Sequence, residues 1–388
     1  MNTLPSSIKV IGSNQQVLDS IAELLEGVQY ELISTGEFTE RDFFKFFGVY
    51  IIQVESSDDM ALLTRLSESP GYISTLALSY SSESAQVFRL LRAGADDVFV
   101  VESLSIESEA FNAAVLQSLK RCQLMYDGQV YREGLERTLE ELKEDQLAAY
   151  SVQKRLLPPV SQTISGLQIE YSLKPSLIVS GDFVDVIPVS DELTMFYLAD
   201  VSGHGASSAL VTILLKNLTS RLQRNFKRAS SYDLLSPLKT LDRINSEVHS
   251  LGLDKHLTIF CGLVDHLKNT LAYAVGGHHP MPIYHSSAKT YMLPGRGMPA
   301  GLFTEALFEQ NEIELDDEFT LSLFSDGVME LLPQKTIKEK EQALVDWIAI
   351  HGASFNRLSA FIYPHHDADD QPQYPDDITI MSVSRVKT

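Results

Sequence analysis

The chain is short of cysteine, of basic charge and of long apolar runs. Its 388 residues hold two cysteines, Cys122 and Cys261, far apart and without ligand spacing. That excludes a disulfide framework and reads as two buried thiols in a reducing compartment. Lys and Arg number 31 against 52 Asp and Glu, a net charge of −21, so the basic surface that nucleic acid or an anionic membrane requires is missing. No apolar run approaches the roughly 18 residues of a membrane span. The opening MNTLPSSIKV has neither the charged nor the apolar region of a signal peptide. These absences predict a cytoplasmic protein with no nucleic-acid and no membrane partner. What is present, 44% hydrophobic and 21% charged residues, is ordinary globular composition, and the length suits two or three domains.

Three textures divide the chain. Residues 1–121 alternate apolar strand segments (IKVI, YELIST, VYIIQV, STLALSY, DVFVV) with helical ones such as AQVFRLLRAG, which predicts an α/β doubly wound parallel sheet. Residues 122–159 read as a charged, coiled-coil-like helical linker. Leu135, Leu139 and Leu142 follow one another at i, i+4, i+7, and Pro158 and Pro159 end the helix. Two uses of that seam stay open: packing on its own domain, or a homodimer through the linker helix. Residues 160–388 bring β-rich segments in hairpin spacing, interrupted by helices near 206–225, 232–250 and 337–350, which predicts an α+β domain of antiparallel sheets.

The first segment, with its RAGADDVFV, resembles the receiver domain of two-component response regulators. The resemblance implies acids after the first strand, a phosphoacceptor Asp ending the third, Ser or Thr ending the fourth and Lys ending the fifth. Here Gly12, Ser13 and Asn14 follow the first strand, Gln53 stands at the acceptor position with Glu55 nearby, Ser79 matches, and Val101 and Glu102 replace the Lys and its neighbour. Phosphoryl transfer needs a carboxylate nucleophile and a cation. The expectation is a pseudo-receiver that works by protein contact.

In the last segment acids recur at strand ends: Asp182 and Asp185 in VSGDFVD, Asp200 in LADVSGHG, Asp326 in LFSDGVME, and Asp376 and Asp377 in PDDITIM. Any one of them reads most simply as a turn former or helix cap. Four repeats of the context are harder to explain so, because converging carboxylates repel unless a cation sits between them. Oxygen donors alone suit Mg²⁺ or Mn²⁺ rather than zinc. Gly203 and Gly205 permit a tight turn, and His204 between them caps or packs more readily than it donates a proton. His278 and His279, adjacent on a strand, point to opposite faces and make no ligand pair.

The ordered motifs SGDFVDV, LADVSGHG, AYAVGGHHPMPI, GMPAGLF, LFSDGVMEL and DDITIM resemble the SpoIIE-type branch of the protein phosphatase 2C superfamily, over residues 150–388. The resemblance implies a β-sandwich flanked by helices and a metal-dependent serine/threonine phosphatase. Two divalent cations, Mn²⁺ or Mg²⁺, would be held by Asp182, Asp200, Asp326, Asp376 and the Val201 carbonyl. Asp185 and Asp377 would support that set, and Ser180 departs from the branch's common glycine. Implied partners are a phosphorylated STAS-domain anti-sigma-factor antagonist, and an anti-sigma or sigma factor. The rival is a catalytically silent adaptor that binds a stress sigma factor for proteolysis. Such an adaptor is expected to have lost part of the acid set, and here all four acids remain.

Overall fold

The computed structural model describes residues 7–25, 28–35, 46–69, 72–203, 205–252, 254–363 and 374–385. The chain divides into two compact units, Met1–Glu140 and Glu141–Thr388.

In the first unit, strands β1 (Ser7–Gly12), β2 (Tyr30–Ser34), β3 (Gly48–Val54), β4 (Ile73–Ser79) and β5 (Asp97–Val100) form one parallel sheet in the order β2-β1-β3-β4-β5. That is the order of a doubly wound sheet whose functional edge lies at the strands' carboxyl ends. The central β3 is buried along its whole length, as the unbroken apolar run VYII requires of a strand covered on both faces. Its covers come from two sides. Helix α1 (Gln15–Leu24) and the start of α4 (Ser108–Leu156) supply Val17, Leu18, Ile21, Phe111 and Val115 to one core. Helices α2 (Ser57–Ser67) and α3 (Ser84–Arg92) supply Leu63, Leu66 and Leu90 to the other.

Helix α4 is a single element of 49 residues. The linker helix expected from residue 122 therefore begins earlier, at Ser108. Gly128 and Gly134 do not interrupt it, since neither is crowded and the flanking residues are strong helix formers. Leu135, Leu139 and Leu142 are all exposed.

The second unit holds two antiparallel sheets. One has the order β14-β11-β10-β9-β8, from β8 (Asp182–Pro188), β9 (Leu193–Val201), β10 (Leu257–Asp265), β11 (Thr270–Gly276) and β14 (Gln310–Glu314). The other has the order β13-β12-β15-β16-β7-β6, from β6 (Ser161–Ile164), β7 (Leu167–Lys174), β12 (Ile283–His285), β13 (Thr290–Met292), β15 (Phe319–Phe324) and β16 (Ile378–Arg385). One hydrophobic core draws on both, joining Val184, Phe196, Phe260 and Tyr273 of the first to Ile169, Tyr284, Leu321 and Met381 of the second. Alternate residues of the first sheet pack instead on α5 (Ala206–Lys227) and α6 (Pro237–Ser250). The second sheet's other face packs on α7 (Gly327–Leu331), α8 (Ile337–His351) and α9 (Phe355–Ile362). Period-two burial on each strand thus feeds two cores, which is why the strand segments read as apolar at nearly every position. Helix α9 and the short β6, β13 and β14 escaped the sequence reading because each is too brief to show a period.

Cys122 and Cys261 are both buried free thiols, and burial pushes Cys261 up to about 12. Among the described residues, no helix is long and apolar enough to cross a membrane.

Candidate active site

The β8–β9 hairpin fixes the first relationship. Its register places Asp182 directly opposite Asp200 and pairs Val186 with Phe196 further along. Directly opposite residues of an antiparallel pair share a face, so both carboxylates lie on one side at the open end of the hairpin. A turn then leads from β9 into α5. Gly203 (φ 75°) and Gly205 (φ 83°) occupy the left-handed region there, which a side chain would strain. His204, between them, lies outside the described residues.

Asp200 is no helix cap: the N-cap position of α5 is Gly205, which makes no side-chain capping bond. Asp326 does stand at the N-cap of α7, yet its carboxylate caps nothing. Asp376 is closer to a simple turn former, for its Oδ1 accepts from the Asp377 N–H at 2.8 Å.

Asp182 is buried. Its Oδ2 accepts the Thr379 hydroxyl at 2.6 Å, while its Oδ1 is buried without any partner. Burial raises this carboxyl well above the usual range, and the charge of Asp200 adds to the rise. Burial, then the fields of Asp326, Asp376 and Asp377, push Asp200 up to about 7. Asp326 is raised by desolvation and by Asp376, against the Gly327 N–H and the positive field of His279. His279 is thus near enough to act on Asp326. The strand ends at Gly276, and Gly277 (φ 70°) turns the chain so that His279 escapes the alternation assumed for it. His278 is buried with neither ring nitrogen partnered, and burial pushes it down to about 3.

Asp185 and Asp377 face elsewhere. Asp185, three residues along β8 from Asp182, turns toward α5 and pairs with Lys216 at 2.7 Å, with the Tyr197 hydroxyl at 3.3 Å. Asp377 is a brace: it accepts from the Ser176 N–H (2.7 Å), the Ser176 hydroxyl (2.9 Å) and the Gly181 N–H (2.6 Å), tying the loop before β8 to the start of β16.

Several positioning residues carried no signal in the sequence. Gln153, near the end of α4, is buried; its Nε2 donates to the Ser180 carbonyl (2.7 Å) and the Thr212 hydroxyl oxygen (2.9 Å), and its Oε1 accepts the Ser180 N–H (3.2 Å). A glutamine on a charged helix reads as surface until the partner loop is known. Lys255 donates to the Ser202 carbonyl at 2.7 Å and to the Ser208 hydroxyl at 3.2 Å, holding the turn after Asp200. Gly181 sits against two backbone carbonyls. A Cβ there would lie 2.8 Å from the Val201 carbonyl oxygen and 3.1 Å from that of Gly203. The Val201 carbonyl is thus packed against Gly181, whose own carbonyl accepts the Val201 N–H at 3.2 Å.

These residues fit a hard divalent cation in donor chemistry. They offer carboxylate oxygens, one of them an orphan in a buried position, under mutual repulsion that a cation would relieve. Among the described residues, however, no three His, Cys, Asp or Glu side chains converge as a ready ligand cage.

In the first unit, Gln53, the last residue but one of β3, is buried. Its Oε1 accepts the Asn14 N–H at 3.2 Å, and its Nε2 donates to Glu55 and to the Tyr80 hydroxyl. Ser79 is engaged with Ser81, its hydroxyl donating to the Ser81 carbonyl at 2.9 Å.

Fold and site together define a domain of the PP2C type. The SiaA-PP2C domain of Pseudomonas aeruginosa superposes with a TM-score of 0.52 at 18% identity, over 65% of this chain and 98% of that one, which shows a shared fold. The family model of stage II sporulation protein E (SpoIIE) matches residues 190–386, and the chain belongs to that family. Asp182 and Asp185 precede the matched span. The phosphoserine phosphatase RsbP of Bacillus subtilis is 27% identical over 169 residues, 42% of this chain and 40% of that one. The Regulator of RpoS of Escherichia coli is 22% identical over 245 residues, 61% of this chain and 68% of that one. The chain spans 40–58% of the length of the first curated relatives it matches.

Proposed function

We propose that the chain is a metal-dependent protein serine/threonine phosphatase, acting on a phosphorylated STAS-type anti-sigma-factor antagonist in a partner-switching pathway. The observation that carries this is the Asp182–Asp200 cross-strand pair, with the orphan Asp182 Oδ1 and the fields of Asp326 and Asp376 on Asp200. Membership of the SpoIIE family and the likeness to the phosphoserine phosphatase RsbP support it.

Asp182, Asp200, Asp326, Asp376 and the Val201 carbonyl would hold two divalent cations, Mn²⁺ or Mg²⁺. Bound there, such a pair supplies an activated water and neutralises phosphate charge. The chain's own residues do the placing. Thr379 fixes the Asp182 rotamer, Asp377 and Gln153 fix the loop before β8, and Lys255 fixes the turn after Asp200. Asp326 and Asp376 are exposed and would complete the set.

The working division is a pseudo-receiver at 1–121, a linker helix at 122–159 that dimerises through its exposed leucines, and a phosphatase sandwich at 160–388, all cytoplasmic. The Gln53–Glu55–Tyr80 network supports a receiver that takes no phosphate.

The second reading is a silent adaptor that binds a stress sigma factor. The likeness to the Regulator of RpoS and the open arrangement of the acids favour it.

The test is turnover of a phosphoserine STAS protein with and without Mn²⁺, for the wild type, Asp200→Asn and Asp326→Asn. Metal-dependent release of phosphate, lost in both variants, is expected. No turnover with any metal supports the adaptor; turnover surviving both changes removes these acids from the site. Acetyl phosphate with Mg²⁺ is expected to leave no base-labile label on the first unit.

A further inference from the structure

A cavity of ≈ 520 Å³ lies within the second unit, between the last turns of α4, the strand β7 and helix α9. It is separate from the carboxylates, and its volume falls in the about 300–1,000 Å³ range of small-molecule sites. Tyr150, Leu157, Tyr171 and Phe355 give it apolar and aromatic walls. The Tyr171 hydroxyl donates to the Pro158 carbonyl at 2.8 Å, which closes one wall and satisfies the phenol. Two cations line it, Lys154 and Lys174, and no Asp or Glu does. Among the described residues neither lysine has an ion-pair partner; the Lys154 ammonium sits 5.9 Å from the Tyr150 ring centre. In a chain of net charge −21, two unpaired lysines over an apolar cavity mark a site for negative charge.

We infer that this cavity binds a small organic anion, an aromatic or branched apolar body carrying one carboxylate, sulfonate or phosphate group. The apolar walls take the body and the lysines take the charge at the rim. The cavity also touches Gln153 and Ser180, which are hydrogen-bonded to each other ahead of Asp182. An occupant therefore sits against the clamp that positions the candidate active site. The binding itself does not depend on the chain being a phosphatase.

The probe is 8-anilinonaphthalene-1-sulfonate on the full chain, with uncharged N-phenyl-1-naphthylamine as its control. Trp347, the single tryptophan, stacks on Phe361 of α9 at 4.4 Å, so energy transfer from it reports binding beside α9. One sulfonate probe per chain is expected, quenching Trp347. The pair Lys154→Gln and Lys174→Gln should weaken it at least tenfold while leaving the uncharged dye unchanged. Ser359→Phe, which fills the cavity, should weaken both dyes at least tenfold. The lysines are exposed, so their variant keeps its fold even where the filled one does not. Sulfonate binding that is indifferent to the lysine pair, or lacks Trp347 transfer, overturns the proposal.

Discussion

Asp182 and Asp200 face each other across an antiparallel strand pair, the one buried and the other raised to about 7. Like charges directly opposite destabilise a sheet, so this hairpin is under a strain that a cation, or a proton, removes.

That gives a pH dependence with a definite sign. The unfolded carboxyl of Asp200 titrates near 3.9, and the folded one at about 7. Between these values the native state holds more protons than the unfolded, so stability of chelator-treated protein falls as pH rises through that window. His278, down at about 3, acts in the opposite direction below about 6.5 and is removed by comparing variants. Urea melts in EDTA at pH 4.5, 6 and 7.5 are expected to show Asp200→Asn gaining on the wild type as pH rises. Saturating Mn²⁺ should abolish the gain. A variant that tracks the wild type at every pH would remove Asp200 from the repulsive pair.

Gln153→Ala leaves the Ser180 N–H and carbonyl without their partners in a buried place. The expected cost is about 1–3 kcal/mol in urea unfolding. Turnover at saturating metal should fall about tenfold, on the order of 1.4 kcal/mol in the barrier. Unchanged turnover in a folded variant would show that the loop before β8 holds its place without the helix.

Gly181→Ala drives a methyl against the Val201 carbonyl. Backbone cannot yield as a side-chain tip does, so the turn carrying Asp200 must shift, and a displacement of about 1 Å can cost about 100-fold in rate. Ser180→Gly is the control and is expected to keep most activity, since its hydroxyl only accepts the Asp182 N–H at 3.0 Å. Steady-state phosphate release separates the two.

Lys216→Met strands the buried Asp185. Breaking a buried pair costs about 3–5 kcal/mol, and the partial exposure of Lys216 points to the lower end. The double variant Asp185→Leu with Lys216→Met is expected to recover most of the loss. Chemical denaturation decides it; a double variant as weak as the single would mean the pair contributes through its bonds to Tyr197 and Thr219.

The alternation of strand and helix, the switch to hairpin spacing and the recurrence of acids at strand ends were all legible in the chain, because side-chain period follows backbone geometry. Asp182, Asp200 and Asp326 were found that way, each by the apolar run beside it. Which acids share a face was not legible. Asp185 has the same local context as Asp182, and only the three-residue offset along β8 and the arrival of Lys216 from α5 turn it to other work. Gln153, Gly181 and Lys255 were invisible for a related reason: each acts on a backbone group remote in sequence, at separations only tertiary packing closes. Sequence alone determined the longer strands and helices of this protein and the acids at their ends. Tertiary structure decided which carboxylates meet, because strand register and loop bracing are set by contacts that no local pattern encodes.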